Sequence, residues 1–148
     1  MATDGSKEDQ ERCIFCRISS GRLPAFIVHR DEQCSIIMDI FPLSPGHVLI
    51  IPHDHVKTIE ELSAPAREHI FQMASEMSAA FRQGRLNAKA THVLLNNGPG
   101  ANQHIPHVHL HVIPRHDDDG YSFRWKAGSY GEGEMARWRD RIAAALET

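Results

Sequence analysis

His107, His109 and His111 alternate with Val108, Leu110 and Val112, and Ile113 and Pro114 follow. Alternation at period two is the pattern of a half-buried strand. It puts three imidazoles on one face and Val108, Leu110 and Val112 on the other, with successive rings about 6.5–7 Å apart. A face made for solubility would carry Lys, Glu or Thr. Imidazoles instead exchange protons, ligate metals or attack electrophiles near neutral pH. Pro114 lacks a backbone donor and is predicted to end the strand.

Two chemistries suit such a face. In a catalytic zinc site the outer histidines, about 13 Å apart along the strand, cannot share one ion with bonds of about 2.0–2.1 Å. A ligand from elsewhere would be needed, and no nearby carboxylate offers itself as general base. In nucleophilic catalysis a neutral imidazole attacks an activated phosphorus and forms a phosphohistidine. Its second ring nitrogen must then donate to a fixed acceptor, and donors must surround the developing charge. The Gly/Asn-rich loop from Asn96 to Gln103 runs directly into the triad and can supply them. The bland alternative, a strand that merely displays surface histidines, suits one such residue better than an alternating trio.

Cys13-x-x-Cys16 offers a further chemistry, since two thiolates are half of a tetrahedral zinc site. Two reduced thiols packed on a short helix is the plain alternative. A redox pair is weaker, because no strand precedes the motif. Cys34 reads as a small core residue.

The elements that must position these groups follow from periodicity and punctuation. Ile14, Phe15 and Ile18 form a short apolar face that Gly21 ends. Residues 25–29 and 34–40 read as a hairpin around the turn 30–33. Two prolines and Gly46 hold a loop before the apolar strand 47–51. A helix is predicted from a Ser63 cap, with Pro65 in its first turn and Gly84 at its end; Ile70, Met73, Ala74, Met77 and Phe81 make one stripe. Residues 91–95 form another strand. Met135, Trp138, Ile142, Ala145 and Leu146 fit a terminal amphipathic helix. Hairpin-like strands with two main helices point to an α+β fold with a largely antiparallel sheet.

The chain of 148 residues is sized for one domain, read as 12–148 after a flexible polar tail at 1–11. A net charge of −3 predicts no strong attraction to nucleic acid or membranes. There is neither an apolar run long enough to span a bilayer nor an N-terminal signal-like segment. Three cysteines cannot all pair, which favours a reducing compartment, with the cytoplasm as the default.

From Asn96 to Arg115 the sequence closely resembles the histidine triad (HIT) family of nucleotidyl hydrolases and transferases, whose signature is His-φ-His-φ-His-φ-φ with φ apolar. The resemblance extends to residues 13–18, as in the small Hint-like members, to Met38-Asp39-Ile40, to Gly46–Pro52 with His55-Val56, and to Trp125. It implies a HIT-like fold with a five-stranded antiparallel sheet and a two-fold dimer. It implies that His109 attacks the α-phosphate of a purine nucleoside phosphoramidate or related nucleotide conjugate. Water would then release a nucleoside monophosphate from the nucleotidyl-histidine intermediate. A binding module with little turnover and a dinucleoside polyphosphate hydrolase are the other activities kept open.

The same resemblance assigns phosphate contact to His111, a phosphate cradle to Asn96, Gly98, Gln103 and the loop backbone, the ribose to Asp39, the purine to Ile40 and support to His47. His107 becomes either a supporting hydrogen-bond partner or a zinc ligand. In some members a structural zinc is held at the positions of Cys13, Cys16, His55 and His107, with His53 as the rival of His55. Two positions depart from the usual pattern. Asn102 carries a side chain where a small residue lets the backbone approach phosphate, and His104 replaces a small hydroxyl residue.

Overall fold

The structure, a computed structural model, describes residues 4–147. Five strands form one antiparallel sheet in the order β1-β2-β3-β5-β4. They are β1 (Ile27–Arg30), β2 (Cys34–Met38), β3 (Val48–Pro52), β4 (Ala90–Leu94) and β5 (Leu110–Arg115). Helices α1 (Asp4–Arg12) and α2 (Ile14–Ser19) precede the sheet, α3 (Ala64–Phe81) joins β3 to β4, and α4 (Glu134–Leu146) closes the chain. The α+β class and the five-stranded antiparallel sheet agree with the sequence reading.

Both faces of the central strands are covered. Cys34, Ile36, Val48, Ile50, Val108, Leu110 and Val112 pack with Ile70, Met73 and Ala74 of α3. Ile37, Leu49 and Ile51 point the other way and meet Phe15 and Ile18 of α2. A strand buried on both faces reads as a continuous apolar run, which is why residues 48–51 show no polar alternation. Helix α3 starts where its cap predicts, with the Ser63 hydroxyl accepting from the Ala66 N–H at 3.3 Å.

Three local expectations need correction. The segment before Arg12 is not a simple tail: it is helical from Asp4 to Arg12, while residues 1–3 lie outside the described residues. Charged neighbours such as Lys7 and Glu11 stand four apart on its solvent side, and the Cys13 N–H continues the turn by donating to the Asp9 carbonyl at 3.0 Å. The triad strand begins at Leu110 rather than His107. Ahead of it the Val108 N–H leaves the ladder and donates to the Val56 carbonyl at 2.8 Å.

Nor does Pro114 end the strand: it pairs with Thr91, and Arg115 with Ala90. By then β3 has run out, since its last partnership on that side is Val48 with Val112. The stretch is effectively an edge, where a missing donor is tolerated. Gly46 passes so close that a Cβ there would lie 3.0 Å from Pro114 Cγ, and its φ of +95° suits only glycine.

The C-terminal helix forms as predicted but lies apart from the sheet. Met135, Trp138, Ile142 and Leu146 remain exposed. No helix among the described residues is long and apolar enough to cross a membrane.

Candidate active site

The three triad histidines lie on the α2 side of the sheet, as the alternation requires. They are not a solvent face: His107 and His109 are buried and His111 is partly so. The Phe15 ring of α2 stands edge-on to both buried imidazoles, with centroids 5.7 Å from His107 and 4.9 Å from His109. His109 and His111 lean together, with centroids 4.9 Å apart.

Hydrogen bonds fix which nitrogen each ring offers. His109 donates Nδ1–H to the His107 carbonyl at 2.8 Å. Its Nε2 therefore carries the lone pair. For His111 the chain of bonds runs the other way. The Leu43 N–H donates to His47 Nδ1 at 3.1 Å. Neutral His47 then carries its proton on Nε2, 2.9 Å from His111 Nδ1, which accepts it. His111 is left with a proton on Nε2. Two adjacent imidazoles thus present opposite faces, one a bare nitrogen and the other an N–H.

Burial keeps these rings neutral. It is the main cause that lowers His109, against the opposing pull of the His107 carbonyl and Asp39. It lowers His111 to about 4, aided by His109 and His47. His47 is lowered chiefly by burial too, while Asp39 acts to raise it. The Asp39 carboxylate reaches this cluster, with Oδ2 3.5 Å from His47 Nε2, while its Oδ1 accepts from the Phe41 N–H at 2.8 Å. Ile40 and Phe41 project beyond it, 73% and 81% exposed, an apolar lip that nothing among the described residues covers.

The loop before the triad is braced by the side chains that sequence reading had aimed at phosphate. Gln103 Oε1 accepts from the Gly98 N–H at 2.7 Å, and its Nε2 donates to the carbonyls of Lys57 at 2.7 Å and Ile105 at 3.0 Å. Asn96 Nδ2 donates to the Asn102 carbonyl at 3.3 Å. Asn102 itself is left-handed, at φ 63° and ψ 29°. Asparagine is one of the few side chains that tolerates that region, so its presence satisfies the turn rather than crowding it. His104 is exposed and borders a cavity of about 300 Å³ with Arg12, Lys57 and Ile105, rather than the triad rings.

Sequence reading passed over Asn97. Its Oδ1 accepts from the Ile59 N–H at 2.9 Å, and its Nδ2 donates to both Glu60 oxygens at 2.9 Å. These bonds tie the loop to a short 3-10 turn at Ile59–Glu61. Only the polar side chain between two recognised loop residues hinted at it.

At the other end of the triad four donors converge. Cys13 Sγ lies 3.4 Å and Cys16 Sγ 3.5 Å from His107 Nδ1. His55 Nδ1 lies 3.2 Å from both Cys16 Sγ and His107 Nδ1. Tetrahedral zinc with Cys and His ligands has donor separations of about 3.3–3.8 Å, so the set fits that ion. The His107 Nε2–H donates to the Pro52 carbonyl at 2.8 Å, which orients Nδ1 toward the thiols. Burial and the neighbouring Cys13 push the Cys16 thiol up to about 12; a cation between the donors is what would reverse that. His53, the rival ligand, is turned away to Ser35 Oγ at 2.9 Å.

Comparison with known proteins gives the family. A model of the HIT domain matches residues 20–118. Protein hit of Bacillus subtilis is 33% identical over 139 residues, covering 92% of this chain and 95% of that one. The adenosine 5'-monophosphoramidase hnt1 of Schizosaccharomyces pombe is 29% identical over 136 residues, covering 91% and 98%. The solved structure of a Zn-bound histidine triad family protein from Mycobacterium smegmatis superposes with a TM-score of 0.73 at 31% identity, covering 93% of this chain and 97% of that one. The chain belongs to the HIT family.

Proposed function

We propose that this protein is a nucleotide hydrolase that cleaves purine nucleoside phosphoramidates, or related nucleotide conjugates, at the α-phosphorus. The observation that carries the reading is the opposite protonation of the two adjacent rings. His109 Nε2 attacks phosphorus while His111 Nε2–H donates to a phosphate oxygen. The bond to the leaving group breaks, its electron pair goes to the leaving atom, and that atom takes up a proton from solvent, which the water of the next step gives back. Water then displaces His109 from phosphorus and releases the nucleoside monophosphate. His107 acts in this step through its carbonyl, which holds the His109 tautomer.

Asp39 accepts from the ribose hydroxyls, and Ile40 with Phe41 packs the base. Gly98, Asn96 and Gln103 shape the phosphate loop, with the two side chains acting as braces. His47 relays its proton position to His111. His104, beside Arg12 and Lys57, meets the leaving-group side of a conjugate. A related protein's phosphoramidase name supports this substrate class.

The set Cys13, Cys16, His55 and His107 holds a structural zinc that staples α2 to the sheet and supplies no chemistry at phosphorus. The Zn-bound relative supports that reading. The protein works as a homodimer in the cytoplasm: the exposed stripe on α4 asks for a partner surface, and the cysteines are unpaired.

Turnover of adenosine 5'-phosphoramidate tests the activity. Wild-type protein should release AMP, and His109→Ala should not, while still binding AMP. Binding without turnover by the wild type would overturn the hydrolase reading. Sedimentation of wild type against Trp138→Glu tests the dimer.

A further inference from the structure

A second group of metal-binding side chains lies on the α3 side of the sheet, on the opposite face from the triad histidines. Asp31 occupies the turn between β1 and β2. Its Oδ1 accepts from the N–H groups of Gln33 and Cys34, both at 2.8 Å. That pair of bonds is enough to hold the turn. It leaves Oδ2 pointing at three further donors. His69 Nε2 of α3 stands 2.7 Å away, His29 Nε2 3.4 Å and Cys34 Sγ 3.8 Å. The ligating atoms of Asp31, Cys34 and His69 all fall within 4.8 Å of one another. Tetrahedral zinc needs separations of about 3.3–3.8 Å, so small side-chain rotations would close the set.

Neither the hairpin nor the core requires this combination. A core position at 34 would accept Val or Ala, and the turn needs only Oδ1. What the thiol, the imidazoles and the spare carboxylate oxygen share is affinity for a borderline-soft divalent cation.

We propose that Asp31, Cys34 and His69, with the exposed His29 as fourth donor, form a second metal site for zinc or a cation of similar size and softness. The bound ion would clamp the β1–β2 hairpin to α3. One cation enters and the Cys34 thiol proton leaves to solvent, together with any proton on His69 Nε2.

The test is a metal count on the full-length chain, stripped with chelator under reducing conditions and titrated with Co2+. Its visible spectrum reports thiolate ligation. His69→Ala and Cys34→Ser should each bind one equivalent fewer than wild type. Cys13→Ser/Cys16→Ser should keep an equivalent with a single-thiolate spectrum. Should Cys34→Ser fold poorly, His69→Ala decides alone, since it removes a partly exposed side chain on a helix. Equal stoichiometry in wild type and His69→Ala would overturn the proposal and leave the cluster as an ion pair between turn and helix. If instead the Cys13/Cys16 zinc is what fails, wild type takes up one equivalent and His69→Ala none, so the two readings fail separately.

Discussion

His107 and His109 are two residues apart, touch the same Phe15 ring and are both buried, yet opposite nitrogens are tied down. Nε2 of His107 is anchored to the Pro52 carbonyl, so Nδ1 faces the thiols. Nδ1 of His109 is anchored to the His107 carbonyl, so Nε2 is the free atom. Each anchor is a backbone oxygen, which cannot change its mind about protonation. A histidine's chemistry here is set by which of its nitrogens the backbone has already used.

Substitutions can separate the two ends of that strand. The largest expected effect is on turnover: His109→Ala should reduce kcat for adenosine 5'-phosphoramidate by about 10⁴-fold or more, as loss of a nucleophile does, with thermal unfolding shifted only modestly. At the other end Cys13→Ser/Cys16→Ser should do the reverse. It should forfeit about 4 kcal/mol of stability when free zinc stands a thousandfold above its Kd, measured by denaturant unfolding with and without zinc. Its kcat at low temperature should stay within about tenfold of wild type. A collapse of kcat there, with the fold intact, would mean that the thiolate end takes part in the chemistry.

His47→Ala should fall between these. It removes the donor to partly buried His111 Nδ1, an unsatisfied group worth about 1–3 kcal/mol. That corresponds to roughly 10–100-fold in kcat, with a smaller effect on AMP binding.

The sequence carried the triad, its facing and the loop that feeds it, because period-two alternation and Gly/Asn turns are local signals. The Cys13-x-x-Cys16 pair was legible as half of a metal site, but its partners His55 and His107 were reachable only through resemblance, since their chain separation hides their meeting. Tautomers were not legible at all. They depend on Leu43, Pro52 and the His107 carbonyl, main-chain groups whose positions only the folded sheet decides. The bracing by Gln103, whose amide ties Gly98 to Lys57 and Ile105, was not legible for a related reason: nothing local distinguishes a brace from a ligand contact. The strand limits shifted because Val56 captured the Val108 N–H.

Acid should act on the catalytic end through the neutral rings. Because the folded pKa of His111 is depressed to about 4 from an ordinary value near 6.5, its contribution to stability is present above pH 6.5 or so and is lost as pH falls toward 4. The kcat/KM of the free enzyme should fall on its acid limb below about pH 6.5, as the depressed His109 is protonated. A pH–rate profile checks this; an acid limb centred well above that value would contradict a neutral buried nucleophile. The smallest change expected is Asn102→Gly. Relief of the left-handed position and the added freedom of the unfolded chain oppose each other, leaving stability within about 1 kcal/mol and turnover close to wild type.

The most direct test of the division between the two histidines is rapid-quench intact-mass analysis of the wild-type enzyme mixed with adenosine 5'-phosphoramidate. An acid-labile adenylyl adduct should appear and decay within a turnover, map to His109 and be absent from His109→Ala. Turnover with no adduct at any quench time, or an adduct on His107 or His111, would contradict the account.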